Sequence, residues 1–282
     1  MIQKSYDNSA CLFLIPTPIG NMEDITIRAI NTLKEVDIIL CEDTRETSKL
    51  LNFYHINKKL VSCHQWNEKD VSAKVVDFLT RGLKVGLVTD QGTPIISDPG
   101  FIVVKDVIDK GYNVISLPGA TAFVPALTIS GLNPLQFLFY GFLNSKKTKR
   151  EKELNSLKEY AFTIIFYESP HRMYETLELM LKVFGDRNIC ICREISKIHE
   201  EIYRGKISDF CSNIDVLKGE FVIVVAGNDK KHDFSDLSIT EHVKYYISDG
   251  LSEKEAIRLV ASERNIAKSI VYSDYHKYKK GE

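Results

Sequence analysis

Five short apolar runs in the first 120 residues, separated by segments with helical spacing, constrain the fold of this chain more than any other feature. The runs are Cys11–Ile15, Asp37–Cys41, Leu60–His64, Lys84–Thr89 and Asn113–Leu117. Strands that alternate with helices are typical of a parallel sheet covered by helices on both faces. Because the crossovers are right-handed, the loops that follow the strands meet at one edge of the sheet, where open α/β folds bind ligands. We therefore predict an α/β fold with a ligand cleft at this edge.

The loop after the fourth run, Asp90–Gly100 (DQGTPIISDPG), is unusually long. Connections between a strand and a helix usually have about two to six residues. Glycines and prolines fix its path, and Asp90 and Asp98 add two carboxylates. A rigid surface loop is one interpretation, but long ordered loops more often carry function, and we favour a functional loop.

A second group of apolar runs predicts a second α/β unit with more mixed strand pairing. These runs are Leu135–Leu143, Phe162–Tyr167, Asn188–Cys192, Glu200–Tyr203 and Phe221–Val225. The segment from Ile239 to Tyr278 has helical spacing throughout, and Ser252 with Glu255 forms a capping-box pattern. We predict three domains: an α/β domain at 1–120, a second α/β domain at 121–230, and a helical tail at 236–282.

Composition and missing motifs narrow the class of protein. The net charge of −1 predicts no extended basic surface, so any nucleic-acid contact must be local. Dinucleotide, P-loop, hydrolase-elbow and zinc-protease motifs are missing. We interpret the six cysteines as reduced core residues and expect no metal site. The first ten residues are polar and no apolar run approaches 18 residues, so we expect a cytoplasmic protein without a membrane span.

A basic segment follows the first strand of the second group. It contains Lys146, Lys147, Lys149 and Arg150. This cluster is compatible with a loop that contacts phosphates. By itself, however, the pattern is more typical of a solvated helix start.

Six motifs between Leu12 and Gly227 give the chain a recognisable pattern. In order they read LFLIPTPIGN, CEDTRETSKLL, VTDQGTPIISDPG, LPGATAFVPAL, FYESPHR and GEFVIVVAG. Over about four-fifths of its length the chain resembles the tetrapyrrole methylase fold family of class III methyltransferases. The motifs CEDTR and FYESPHR, with the lysine-rich segment, point to its RNA methyltransferase branch. Two positions depart from the common pattern: Gln91, where alanine is usual, and the turn His64–Glu68.

The resemblance implies a reaction and its partners. S-adenosylmethionine would bind folded in a cleft between the two α/β domains. The product would be a 2′-O-methylated cytidine in the decoding centre of 16S rRNA, so the partner would be 16S rRNA or the small ribosomal subunit. The fold family forms homodimers, and we expect one here.

The resemblance and the loop positions also suggest which residues bind the cofactor. Backbone groups of Gly92–Ile96 would form a wall beside the sulfonium. Thr121 and Ala122, at a helix start, would favour the methionine carboxylate, and the small Ala226 and Gly227 would admit adenine. The complete set is Pro18, Gly20, Gly92, Thr93, Pro94, Ile95, Ile96, Asp98, Thr121, Ala122, Ala226 and Gly227.

A general base would assist the weakly acidic ribose hydroxyl. Asp43, Asp98 and Glu168 are the candidates, and we prefer Glu168. Each of them is equally suited to organising a loop by accepting backbone amides. Arg172 is compatible with a phosphate contact or with an ion pair on its own helix. The predicted RNA-binding residues are Lys146, Lys147, Lys149, Arg150 and Arg172.

Two other functions remain open from the sequence. The first is a methyltransferase of the same fold that acts on a tetrapyrrole or on a protein side chain. The second is a non-catalytic RNA-binding protein in which the helical tail dominates.

Overall fold

The apolar runs of the first half form one parallel sheet in the computed structural model. Its strands are β1 (Cys11–Leu14), β2 (Ile38–Cys41), β3 (Lys59–Ser62), β4 (Val85–Leu87) and β5 (Asn113–Ser116). They lie in the order β3-β2-β4-β1-β5, and every neighbouring pair is parallel. The predicted sheet is therefore confirmed, with strand ends that differ by one or two residues.

Helices cover both faces of this sheet. They are α1 (Ile27–Glu35), α2 (Thr44–Phe53), α3 (Glu68–Thr80) and α4 (Phe101–Asp109). The next helix, α5 (Phe123–Ile129), packs Ala126 and Leu127 into a different core, with Ile165 and Val222. One face packs Phe13 and Ile15 of β1 against Leu33 of α1. The other face packs Leu12 of β1 with Val75 of α3. The three central strands, β1, β2 and β4, are buried on both sides, which is why their sequences are continuous apolar runs rather than alternating ones.

The second group of strands forms a mixed sheet. Its strands are β6 (Phe137–Phe142), β7 (Thr163–Glu168), β8 (Asn188–Arg193), β9 (Glu201–Lys206) and β10 (Phe221–Val225). The order is β6-β7-β10-β8-β9, with β6 and β7 parallel and the other neighbours antiparallel. The helices of this part are α6 (Lys147–Leu157), α7 (Met173–Phe184) and α8 (Ile207–Cys211). The edge strand predicted at Glu200–Tyr203 is confirmed as β9.

The direction of β10 determines which residues reach the ligand-binding edge. Because β10 is antiparallel to β7, its first residue, Phe221, lies opposite Glu168, the last residue of β7. Its last residue, Val225, lies opposite Ile164. The amino end of β10 therefore shares an edge with the carboxyl end of β7.

The segment after this sheet forms three helices, α9 (Ile239–Ser248), α10 (Glu253–Glu263) and α11 (Lys268–Lys279). They share a small core that includes Val243, Ile257 and Val271. The predicted capping box of Ser252 and Glu255 is present at the start of α10. The helical tail predicted from the sequence pattern is thus confirmed as a packed three-helix element.

The structure describes residues 3, 5, 7–211, 218–228, 234, 237–248 and 250–279. Two compact units, Met1–Asn228 and Asp229–Glu282, are distinguished by their internal packing. The predicted domain limits at 1, 230, 236 and 282 lie outside the described residues, and the limit at 120 stays a prediction. Within the described part of the chain, no helix has the length and apolarity needed to cross a bilayer. The six cysteines are free thiols, and all except Cys211 are buried.

Candidate active site

A cavity of about 420 Å³ lies in the first unit, where loops of the parallel sheet face the edge shared by β7 and β10. Pockets that bind small molecules and cofactors usually have volumes of about 300–1,000 Å³. The lining comes from the long loop Asp90–Gly100, from the segment after β7, and from the start of β10. Its residues are Ile19, Asp90, Gln91, Gly92, Thr93, Ile96, Ser97, Asp98, Thr121, Ala122, Phe142, Tyr167, Glu168, Ser169, Pro170, Ile195, Gly219, Glu220, Phe221 and Val222.

Three loops of the parallel sheet are tied into one wall of this cavity. Thr17 and Gly92 exchange two backbone hydrogen bonds, of 2.9 and 3.1 Å. The Thr93 hydroxyl donates to the Ala120 carbonyl at 3.0 Å. Gly119 approaches Pro16 so closely that a Cβ there would lie 2.4 Å from the proline ring. The loops after β1, β4 and β5 therefore meet as the sequence pattern predicted.

The long loop also contains strained backbone. Ile95 and Ser97 have φ angles of 76° and 68°, values that residues with a side chain rarely adopt, least of all a β-branched one. The buried carboxylate of Glu68 holds the far end of the loop by accepting the backbone N–H groups of Gly100 and Ile102. Glu68 was not predicted as a site residue, because its partners lie more than thirty residues away.

Asp98 is the carboxylate with the properties of a general base. Burial raises its pKa from 3.8 to about 6, and the neighbouring carboxylates of Glu42 and Asp90 act in the same direction. The nearby Thr89 hydroxyl acts against them. Asp98 also lines the cavity. Its carboxylate can therefore accept a proton from a bound ligand close to neutral pH.

Asp43 occupies a different environment. It caps α2 by accepting the Arg45 backbone N–H at 2.8 Å, and its carboxylate pairs with the Arg45 guanidinium. These hydrogen bonds from Arg45 lower its pKa to about 2. Such an acid is a weak proton acceptor, and Asp43 does not line the cavity. The structure therefore favours Asp43 as a helix cap rather than as a base, and its backbone N–H donates to Asp90 at 3.2 Å.

Glu168, the base preferred from the sequence, is a buried structural carboxylate. Its side chain is 0 % exposed although the residue borders the cavity. It accepts hydrogen bonds from the Thr176 hydroxyl at 2.6 Å and the Ser169 N–H at 2.8 Å. It also pairs with Arg172 at 3.2 Å. With both oxygens engaged, Glu168 organises the turn after β7, and the preference for it as the base is corrected.

Tyr167 is a site residue that the sequence analysis did not single out. It lines the cavity, and burial raises its pKa to about 12. The nearby backbone N–H groups of Phe123 and Ala122 act on this pKa in the opposite direction. Ala122, predicted to favour the methionine carboxylate, lies close to this tyrosine and also lines the cavity.

The predicted cofactor residues fall into three groups. Gly92, Thr93, Ile96, Asp98, Thr121 and Ala122 line the cavity. Pro18, Gly20, Pro94 and Ile95 lie beside lining residues without lining the cavity themselves. Ala226 and Gly227 follow the last residue of β10, roughly 15 Å from its cavity end at the rise of a strand. Neither residue is in the described lining of the cavity, because β10 is antiparallel to β7 and its carboxyl end lies away from the shared edge. The contact of these two residues with adenine stays a prediction that the position of this cavity does not support.

The predicted RNA-contacting residues fall into an exposed group and a buried or paired group. Lys146, Lys147 and Lys149 are exposed at the start of α6. Arg150 is 1 % exposed and donates to Glu175 and Thr176. It is therefore a buried structural residue, and the prediction that it contacts RNA is corrected. Arg172 donates to the Leu143 carbonyl at 2.7 Å and pairs with Glu168, which favours the ion-pair alternative over a phosphate contact.

The electrostatic character of the cavity is acidic. The charged residues of its described lining are Asp90, Asp98, Glu168 and Glu220, with no lysine or arginine among them. Ile19, Ile96, Phe221 and Val222 supply apolar surface. A cavity with this lining suits a ligand that combines an apolar body with positive charge. Among the residues with described positions, no cluster of three or more His, Cys, Asp or Glu is arranged to hold a metal ion.

Comparisons with known proteins match this fold and this arrangement of loops. Residues 12–211 match the family model described as Tetrapyrrole (Corrin/Porphyrin) Methylases. A "Ribosomal RNA small subunit methyltransferase I" from Bacillus subtilis (strain 168) is 48% identical over 94% of each chain. A protein of the same name from Halalkalibacterium halodurans is 44% identical over 97% of this chain and 98% of its own.

The fold is also similar to solved structures at low sequence identity. A uroporphyrin-III C-methyl transferase from Thermus thermophilus, complexed with S-adenyl homocysteine, has a TM-score of 0.57 at 17% identity. The match covers 78% of this chain and 98% of that chain. The chain therefore belongs to the tetrapyrrole methylase family and, within it, to the group of proteins named ribosomal RNA small subunit methyltransferase I.

Proposed function

We propose that this chain methylates the ribose 2′-oxygen of a cytidine in the decoding centre of 16S rRNA. The observation that carries the proposal is the 48% identity, over 94% of each chain, with a protein named ribosomal RNA small subunit methyltransferase I. The protein is an S-adenosylmethionine-dependent rRNA methyltransferase of bacterial type. The cytidine, its 2′-oxygen and its place in the decoding centre are the finer part of the proposal.

The cavity fits S-adenosylmethionine in size and charge. When bound, this cofactor supplies an electrophilic methyl group on a positively charged sulfonium. The acidic lining favours such a cation, and the apolar residues Ile96, Phe221 and Val222 offer surface to its less polar parts. Gly92 and Thr93, fixed by hydrogen bonds to the neighbouring loops, hold the wall rigid against the bound molecule.

Asp98 takes the role of the general base. When bound, S-adenosylmethionine would supply the methyl group to the ribose oxygen and would leave as the neutral thioether. The hydroxyl proton passes to the Asp98 carboxylate, whose raised pKa of about 6 matches the task near neutral pH. The cavity walls align the donor and the acceptor, which is the main requirement of an in-line displacement.

The exposed lysines at the start of α6 would contact the RNA backbone. Lys146, Lys147 and Lys149 lie a few residues after Phe142, which lines the cavity. A homodimer would bring two such segments together and help a chain of net charge −1 approach an acidic polymer. Work on 16S rRNA or the small ribosomal subunit also agrees with the cytoplasmic location expected from the sequence.

The proposal is tested with the purified protein and a radiolabelled methyl donor. Unmodified small ribosomal subunits, free 16S rRNA and a tetrapyrrole precursor are offered separately, and the labelled RNA is mapped by nuclease digestion and mass spectrometry. We expect one methyl group on a ribose of the decoding centre. Methylation of a base, of another rRNA site or only of the tetrapyrrole would overturn the proposal; the tetrapyrrole arm is included because a solved neighbour acts on such a ring.

A further inference from the structure

An aromatic ring at the rim of the cavity has no role in the fold that explains its position. Phe142, the last residue of β6, lines the cavity and is 52% exposed. Leaving a large apolar ring half in water forgoes much of the roughly 1.5–3 kcal/mol that burial of such a side chain provides. Because this ring also lines the cavity, a bound molecule that covers it would gain part of that free energy.

A β-bulge aims this ring at the cavity. In the pairing of β6 with β7, Phe139 lies opposite Ile165 and Phe142 lies opposite Tyr167, with the register shifted between Phe139 and Gly141. Side chains three residues apart on a regular strand point to opposite faces. The extra residue puts Phe142 on the same face as Phe139 and Tyr167, and bulges often re-aim side chains next to functional sites.

The surroundings of the bulge hold the ring in a fixed orientation. Gly141 has a φ of 80°, a conformation that favours glycine, and a Cβ there would lie 3.0 Å from the Ser97 hydroxyl of the long loop. The Phe142 ring meets the Tyr167 ring edge to face, with centroids 5.5 Å apart. One side of Phe142 is thus braced by the cavity wall while much of the ring remains open.

Basic residues follow the ring directly along the chain. Lys146, Lys147 and Lys149 are exposed, whereas the described lining of the cavity contains acids but no lysine or arginine. A ligand that reaches from the ring to the lysines therefore combines a flat π-face with negative charge outside the cavity. A nucleotide of single-stranded RNA has both properties, because its base stacks on aromatic rings and its phosphates pair with lysine.

We propose that Phe142 is the stacking platform for the base of the nucleotide that is methylated. This inference rests on the proposed function and names the part of the site that selects an unpaired nucleotide. Stacking on Phe142 places the ribose of that nucleotide at the cavity that Asp98 also lines. The ring recognises that a base is present and unstacked from its neighbours, and it reads no hydrogen-bonding edge.

The first test compares Phe142→Ala, Phe142→Leu and Phe142→Trp with the control Phe137→Ala. Phe137 is on the same strand and is 44% exposed, but it does not line the cavity. We expect Phe142→Ala and Phe142→Leu to weaken binding of a 16S rRNA fragment by about 5- to 100-fold, the range for one stacked base. We expect Phe142→Trp and the control Phe137→Ala to bind the fragment as tightly as wild type does. The affinity for S-adenosylmethionine should be the same in all four variants.

The second test removes the base instead of the ring. A fragment with an abasic site at the methylated nucleotide is bound by wild-type protein and by Phe142→Ala. We expect equal affinities, because each change already eliminates the same stack. A persistent difference between the two proteins on abasic RNA, or weaker binding of S-adenosylmethionine by Phe142→Ala, would overturn the inference.

The outcomes separate this inference from the proposed function. If wild-type protein methylates 16S rRNA while Phe142→Ala binds the intact fragment as well as wild type does, the stacking platform is wrong and the activity stands. If wild-type protein methylates no RNA at all, the proposed function fails first. A fluorescence measurement adds a direct signature: in a Trp66→Phe, Phe142→Trp protein, RNA with the base quenches the single tryptophan and abasic RNA does not.

Discussion

The two walls of the cavity differ in the chemical groups that form them. The wall from the parallel sheet consists of backbone groups and short side chains, tied by hydrogen bonds such as those of Thr17 with Gly92. The wall from the mixed sheet consists of aromatic rings in front of a buried ionic network that includes Glu168 and Arg172. Each wall contributes carboxylates, yet Asp98 has a raised pKa and Glu168 is fully engaged by donors. The comparison shows that surroundings, not residue type, decide whether an acid of the cavity has a raised pKa or is held by hydrogen-bond donors.

The largest expected effect separates these two acids. Asp98→Asn removes the proton acceptor, and we expect turnover to fall by about 10²- to 10⁴-fold. Binding of S-adenosylmethionine, measured by calorimetry, should change by less than tenfold. Glu168→Gln is the matched variant, and its single-turnover rate at a temperature where it is folded should stay within about tenfold of wild type. A larger loss in Glu168→Gln than in Asp98→Asn would reverse the assignment of the base.

The second prediction concerns the ionic network of the mixed-sheet wall. Arg150→Met keeps the length of the side chain but removes its bonds to Thr176 and Glu175. We expect a loss of about 2–3 kcal/mol in the free energy of unfolding measured with urea, because a buried donor set is deleted and its acceptors are left behind. Lys147→Met is the control, since Lys147 pairs with the same Glu175 from an exposed position. Equal destabilisation by the two variants would show that burial of Arg150 is irrelevant to stability.

The third prediction uses pH to examine the parallel-sheet wall. The pKa of Asp98 is raised to about 6, so its basic form is lost as pH falls through that value. We expect kcat/KM to decrease by about tenfold per pH unit below 6, and Asp98→Asn to lack this limb. The free energy of unfolding should depend on pH in the opposite way to the rate. The carboxyl of Asp98 has a raised pKa, so it stabilises the fold at low pH, and this contribution is lost as pH rises through about 6. A rate profile without a limb near 6 would exclude Asp98 as the base.

The smallest expected effect concerns how the long loop is held. Glu68→Gln weakens the acceptor for the Gly100 and Ile102 N–H groups at the start of α4. We expect a loss of about 1 kcal/mol in the free energy of unfolding, together with weaker binding of S-adenosylmethionine. Asp70→Asn, an exposed acid in the first turn of the same helix, is the control for the change in charge. If calorimetry finds unchanged cofactor binding in Glu68→Gln, the strained loop keeps its shape without this contact.

Much of the fold was predictable because the patterns that specify it are local. The five apolar runs predicted the parallel sheet, and the capping-box pattern predicted the start of α10. The convergence of PTPIGN, the long loop and PGAT followed from the rule that loops after parallel strands share an edge. The order in which the second set of strands pairs is non-local, and so the direction of β10 was not available from the sequence. Because of that direction, Ala226 and Gly227 are not in the described lining of the cavity.

The roles of individual side chains were harder to predict than their loops. Asp98, Asp43 and Glu168 look alike as acids in glycine- and proline-rich segments. Their partners, Arg45 for Asp43 and Thr176 for Glu168, become visible only in three dimensions. Arg150 likewise shares a basic run with three exposed lysines, and only the helical phase of α6 turns it into the core. The aromatic run of β6 was predicted as a strand, but its bulge could not be predicted, because the sequence there shows no break in an alternating pattern.

The bulge in β6 makes the face that Phe142 occupies depend on the pairing of this strand and not on its residues alone. If β6 paired regularly with β7 at its present length, Phe142 would lie opposite Glu168 and would point away from the cavity, while every side chain of the site kept its identity. Two proteins with the same residues in this strand but without the same bulge would therefore present different substrate surfaces.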